Sequence, residues 1–204
     1  VFATSALAYR PETLTIGLIP EQNVFKQNER YKPLGEYLSK KVGIPIKFTM
    51  LPRYGNIIDS FNAGTMDAAF WGSFTGAMAI RKVGVEPLAR PLWKNGTSTY
   101  YGMLFVRRDS GITEVSQMKG KRMVLVDKAT TAGYVFPLAY LHEHGVMEID
   151  TFFSESYFAG SHDAAILAVH KGEADVGAAK NTIFEMLTRE KPALAADLLI
   201  LAES

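Results

Sequence analysis

A recurring spacing constrains this chain more than any single motif does. Tyr54-x3-Ile58-x2-Phe61-x2-Gly64-x2-Asp67 returns as His162-x3-Ile166-x2-Val169-x2-Gly172-x2-Asp175, every interval kept at an offset of 108 residues. Each copy has apolar residues at helical spacing, a glycine where the helix stops and an aspartate where the next apolar run begins. The same offset lays "TIGLIP" on "MVLVDK", and a looser likeness joins "PLGEYL" (33–38) to "PLAYL" (137–141). Two unrelated amphipathic helices could share such a spacing by chance. The joint agreement of strand, helix and Gly/Asp ending favours a duplicated unit, and therefore two similar lobes.

The segments between these anchors alternate in type. "LTIGLIP" (14–20), "IPIKFTML" (44–51), "MDAAFWG" (66–72), "YYGMLFVRR" (100–108) and "RMVLVD" (122–127) read as strands. "ERYKPLGEYLSKKVG" (29–43), "GNIIDSFNAG" (55–64) and "FTGAMAIRKVG" (74–84) read as helices that stop at glycine. Strand–helix alternation predicts an α/β fold, each lobe a mainly parallel sheet flanked by helices. A length of 204 residues suits one large or two small domains. The predicted division is residues 9–105 for lobe one and 106–204 for lobe two.

Charge and composition exclude several classes. Net charge is +1 with no Lys/Arg block, which argues against a nucleic-acid partner. There is no cysteine, so neither a disulfide framework nor a thiolate metal site is available. No apolar run reaches the roughly 18 residues of a membrane span. "VFATSALA" (1–8) ends in Ala6-Leu7-Ala8 before "YRPET", which reads as the remnant of a secretory signal peptide with an A-x-A cleavage site; an ordinary N-terminal tail is the other reading.

The stretch "DKATTAGY" follows the strand-like Val124-Leu125-Val126 and opens a helical pattern. A helix start carries N–H groups without intrahelical partners and about half a positive charge, so it suits a phosphate-like anion. Thr130 and Thr131 add hydroxyl donors, and Ala132 and Gly133 let a ligand approach the backbone. Thr is equally an ordinary N-cap. Tyr54 and His162 hold the same place in the two repeats, near helix starts, where ligands of open α/β sheets bind. If the lobes face each other, both point into one cleft. For His162, in Ser161-His162-Asp163, cap and ligand contact compete evenly. Tyr100 and Tyr101 open the strand leading out of lobe one; one of the pair is expected to pack in the core. Trp71 is either a pocket wall or core. G-x-S-x-G, Walker A, G-x-G-x-x-G and H-E-x-x-H are all missing, and His142 and His144 do not share a helix face as metal ligands would.

Taken together, "TIGLIPEQN", "RYKPLGEYLSKKVG", "RYGNIIDSFNAGTMDAAFWG", "TYYGMLFVRRDSGI", "GKRMVLVDKATTAGYVFP" and "GSHDAAILAVHKGEADVGA" resemble the periplasmic substrate-binding proteins of phosphonate, phosphite and phosphate-ester ABC transporters, over roughly residues 13–202. The resemblance implies a two-lobed, type II periplasmic binding fold that closes on a small phosphorus oxyanion. It implies no catalysis, no cofactor and no metal, a place outside the cytoplasm, and ABC transporter membrane subunits as partners. It assigns the oxyanion grip to Thr130, Thr131 and the backbone at Ala132, with Tyr54, Tyr100 and His162 completing the site. Some members hold a ligand amino group with an acid after the "D-V" strand. Lys180-Asn181-Thr182 has none, so phosphate, phosphite, a small alkylphosphonate or an ester is expected, with Lys180, Asn181 and Trp71 near its tail. The family chain also returns to finish lobe one, a segment absent here, where the sequence stops at "LLILAES". A ligand-sensing extracytoplasmic domain of a signalling receptor is the alternative on the same fold. A small transferase would be a third class, but the sequence offers it no nucleophile–base pair.

Overall fold

The computed structural model describes residues 11–93 and 96–204; the expected signal-peptide remnant lies outside them. β1 (Leu14–Leu18) leads into α1 (Val24–Val42), β2 (Ile46–Met50), α2 (Asn56–Asn62), β3 (Ala68–Phe70) and α3 (Ser73–Val83). These strands form one parallel sheet in the order β2-β1-β3. α1 begins five residues ahead of the expected 29–43. Asn23 caps it, its side chain accepting from the N–H groups of Phe25 and Lys26. Val24 and Phe25 are exposed, so the first turn carries no core-facing periodicity by which it could be read.

Then come β4 (Gly102–Arg107), β5 (Arg122–Leu125), α4 (Phe136–Glu143), α5 (Ile149–Phe152), β6 (Glu155–Phe158), α6 (His162–His170), β7 (Val176–Lys180), α7 (Asn181–Glu190), α8 (Pro192–Asp197) and β8 (Leu198–Glu203). The second sheet runs β6-β5-β7-β4-β8. β5 is parallel to β6 and β7, while β4 is antiparallel to β7 and β8. All six residues of β4 belong to this sheet, so the boundary expected at 105/106 cuts a strand and the sheets divide ahead of Gly102.

The repeat is realised as β2-β1-β3 and β6-β5-β7, two parallel trios of the same order. Its Gly/Asp ending now has a physical cause. Gly64 and Gly172 take left-handed φ of 69° and 74°, which favours glycine where the chain reverses. The aspartate that follows clips two strands together. The Asp67 carboxylate accepts from Thr15 N–H at 2.8 Å, and Asp67 N–H donates to Thr15 O at 2.9 Å. Asp175 does the same with Arg122, at 2.8 and 3.0 Å. The strand offset itself needs correcting. Ile16 stands opposite Ala68 and Met123 opposite Val176, so β1 and β5 correspond at 107 residues and "TIGLIP" lies on "RMVLVD".

The core is concentrated around the second sheet, where Phe105, Val124, Leu125, Ile166 and Val169 are fully buried. Gly177 lets α6 approach: a Cβ there would lie 2.7 Å from Val169 Cγ2 and 2.8 Å from Phe105 Cε2. Gly177→Ala is therefore expected to lower stability by about 1–3 kcal/mol, read as a lower urea midpoint. An unchanged midpoint would show that the α6–β7 contact is looser than these distances imply.

Candidate functional site

The loop after β1 is held rigidly. Buried Gln27 donates through Nε2 to Ile19 O at 2.8 Å, and its Oε1 accepts from the N–H groups of Glu21 and Gln22 at 3.0 and 3.3 Å. This fixes Glu21 where the lobes meet. His162 N–H donates to Glu21 O at 3.1 Å, and Asn23 N–H to Asp163 Oδ2 at 2.8 Å. The Lys180 ammonium sits 2.6 Å from Glu21 Oε1, both side chains 12% exposed. Burial alone would raise the Glu21 pKa, but the Lys180 charge and its hydrogen bond, with Arg30 adding to them, outweigh that and hold it below the usual carboxylate range.

His162 lies at the start of α6 and is buried. Lys180 N–H donates to its Nδ1 at 3.1 Å. A backbone N–H can only donate, so Nδ1 accepts and the neutral ring carries its proton on Nε2. Burial first, and then the Lys180 charge, lowers its pKa to about 3 against an opposing pull from Glu21. His162 is thus a neutral N–H donor at ordinary pH. Tyr54 stands edge-on to it, ring centroids 6.0 Å apart at 85°. The Tyr54 hydroxyl is buried without a hydrogen-bond partner. Burial first, and then the charge of Glu21, raises its pKa well above 10, so it keeps its proton.

The two threonines separate into different jobs. Thr130 is buried, and its hydroxyl donates to Asp127 O at 2.7 Å, locking the turn that Asp127 Oδ1 closes on Ala129 N–H at 2.8 Å. Its hydrogen is therefore committed inside the protein. Thr131 opens a π-helical turn, Thr131–Val135, that runs into α4. Its Oγ1 accepts from Phe74 N–H, across the lobes, at 2.9 Å, and its own hydrogen remains to donate. Tyr100 accepts from the adjacent Ser73 N–H at 2.9 Å, so the Tyr100 and Thr131 hydroxyls sit side by side on the first two N–H groups of α3. Ala132 and Gly133 are buried, and Gly133 answers to packing rather than to a ligand: a Cβ there would lie 2.4 Å from Val126 Cγ2.

The expected tail contacts divide too. Lys180 Nζ lies 4.3 Å above the Tyr100 ring as well as against Glu21. Asn181 is tied on both sides of its amide, accepting from Tyr101 N–H and donating to Glu185, each at 3.0 Å; it braces the start of α7. Trp71 packs edge-on against Phe61 at 5.6 Å. It also lines a cavity of about 510 Å³ together with Glu21, Arg30, Tyr31, Tyr100 and Lys180. Tyr54, Thr131 and His162 do not line that cavity; Tyr100 lines it and stands beside Thr131, and Lys180 and Glu21 line it and hydrogen-bond His162 through their backbones. Glu21 and the start of α3 escaped the sequence reading. Glu21 could have been flagged by its place directly after the first strand of lobe one, where ligands approach such sheets.

The candidate donor side chains form two neighbouring pairs, Tyr54 with His162 and Tyr100 with Thr131, and all four are neutral. The nearby cation Lys180 is matched by Glu21. Such a set suits an oxyanion held by hydrogen bonds. Among the described residues, no group of three or more His, Asp or Glu side chains could hold a metal ion.

Two α/β lobes of like topology around such a set define a type II periplasmic binding fold. Residues 16–204 match the family model of the ABC transporter, phosphonate, periplasmic substrate-binding proteins, and the chain belongs to that family. It is 30% identical over 189 residues to the phosphate-import protein PhnD of Mycolicibacterium smegmatis, covering 89% of this chain and 59% of that protein, so it spans about three fifths of that relative's length. It superposes with a TM-score of 0.87 on a binding protein component of an ABC phosphonate transporter from Pseudomonas aeruginosa, at 22% identity, covering 94% of this chain and 65% of that one. PhnD1 from Prochlorococcus marinus in complex with methylphosphonate gives a TM-score of 0.79 at 22% identity, covering 96% of this chain and 73% of that one. Members of the family are transport binding proteins rather than enzymes.

Proposed function

We propose that this chain captures a small phosphorus oxyanion (phosphonate, phosphite, phosphate or phosphate ester) between its lobes outside the cytoplasm and hands it to the membrane subunits of an ABC transporter, without chemical turnover. The observation that carries this reading is the buried, unpartnered Tyr54 hydroxyl beside His162. A buried hydroxyl left unpaired costs about 1–3 kcal/mol, and an oxyanion between the lobes would satisfy it. His162 Nε2–H, Tyr100, Thr131 and the backbone at Ala132 complete the grip. Thr130 supports it indirectly by holding the turn. The relatives' transport names favour this job over that of a receptor's sensor domain.

Titration calorimetry of the full-length protein against methylphosphonate, phosphite and phosphate is the test, and binding of none of them would sink the reading. The two threonines sharpen it. Thr131→Ala is expected to weaken binding about tenfold to a hundredfold, because its hydroxyl hydrogen is left to donate, with little change in melting temperature, because the bond it accepts from Phe74 N–H is exposed. Thr130→Ala is expected to lower the melting temperature instead, since it removes a buried hydrogen bond. The reverse pattern would mean that Thr130, not Thr131, faces the ligand.

A further inference from the structure

We propose that Lys180 fills, with its own ammonium, a cation cage formed by Glu21 and Tyr100, and that the site consequently rejects phosphonates carrying an amino group. A carboxylate beside an aromatic face is what a ligand ammonium would need. Here Lys180 Nζ holds that place, 2.6 Å from Glu21 Oε1 and 4.3 Å above the Tyr100 ring.

The backbones that carry both charges are held in place. Glu21 N–H is pinned to Gln27 and Glu21 O receives His162 N–H, while Lys180 N–H is anchored on His162 Nδ1. The cage also adjoins the oxyanion donors, sharing residues with them. Tyr100 gives its ring to the cage and its hydroxyl to the start of α3, beside Thr131. The backbone of Lys180 orients the His162 ring. The cavity beyond Glu21, Lys180 and Tyr100 is the room open to a substituent on phosphorus, so a substituent leaving the grip on that side passes the Lys180 ammonium. A methyl group or hydrogen passes at little cost. A second ammonium meets a like charge beside a carboxylate that is already paired.

The inference rests on the oxyanion reading above, and one experiment separates the two. Methylphosphonate and 2-aminoethylphosphonate are titrated into the full-length wild type, Lys180→Met and Lys180→Arg. The wild type is expected to bind methylphosphonate at least about tenfold more tightly than 2-aminoethylphosphonate. Lys180→Met keeps the apolar stem and empties the cage; it is expected to bind 2-aminoethylphosphonate at least about tenfold more tightly than the wild type does. Lys180→Arg keeps the charge and is expected to keep the wild-type ranking. Equal affinities in the wild type, or no gain in 2-aminoethylphosphonate affinity in folded Lys180→Met, overturn the cage while leaving the oxyanion site standing. If Lys180→Met does not fold, the wild-type ranking and Lys180→Arg decide: a preference for the amino ligand in either refutes the cage. Failure of the wild type to bind methylphosphonate, phosphite or phosphate refutes the oxyanion reading itself, and the cage with it.

Discussion

Between pH 6.5 and pH 4 the full-length protein is expected to lose roughly 3 kcal/mol of stability through His162 alone. Its pKa falls from 6.5 to about 3 because burial, and then the Lys180 charge, disfavours the imidazolium. Well above pH 6.5 the ring is neutral in folded and unfolded chains alike, and pH has no effect through it. As pH falls below 6.5 the unfolded chain takes up a proton that the folded chain refuses, so stability drops. The drop ends near pH 3, where both states are protonated. Glu21 works in the same direction at the lower end of this range. Its folded pKa lies below 4.5, because burial, the largest single effect, is outweighed by the surrounding positive charges, Lys180 first, so the unfolded carboxylate protonates first. His162→Asn isolates the histidine. Asn can still offer an acceptor to Lys180 N–H but does not titrate. Urea unfolding at pH 7 and pH 4 is the measurement. An equal pH difference in wild type and variant would show that His162 is protonated in the folded protein.

Tyr54→Phe is expected to separate binding from stability. Most buried tyrosine hydroxyls have partners, and removing one destabilises the protein. The Tyr54 hydroxyl has none in this structure, so its removal is expected to leave stability unchanged or raise it by about 1 kcal/mol. Affinity for methylphosphonate or phosphate is expected to fall about tenfold to a hundredfold, the weight of one hydrogen bond to a charged acceptor. A melting curve and a calorimetric titration on one preparation decide the matter. A lower melting temperature with unchanged affinity would mean that the hydroxyl serves the fold and that the site lies elsewhere.

The two expectations differ in how far the sequence anticipated them. The matched places of Tyr54 and His162 were legible because the repeat is local, and the structure does bring their rings to 6.0 Å. Their division of labour was not legible. His162 is a neutral Nε2 donor only because Lys180 N–H, 18 residues on, comes to its Nδ1. Thr130 and Thr131 are indistinguishable as neighbouring hydroxyls. One turns inward to Asp127 and the other meets Phe74, 57 residues away.

The sequence by itself determined the lobes' internal order. Helical periodicity, glycine stops and aspartate starts act over a few residues, so the helix–Gly–Asp repeat and the strand–helix alternation could be read directly. It missed by one residue in matching β1 to β5, because register is set by hydrogen bonds to neighbouring strands, which no short window contains. Only the tertiary structure decided which donors remain unpaired and what charge stands beside them. The Glu21–Lys180 pair joins residues 159 apart. It forms because the fold brings two opposite charges, far apart along the chain, to one place where little water reaches either.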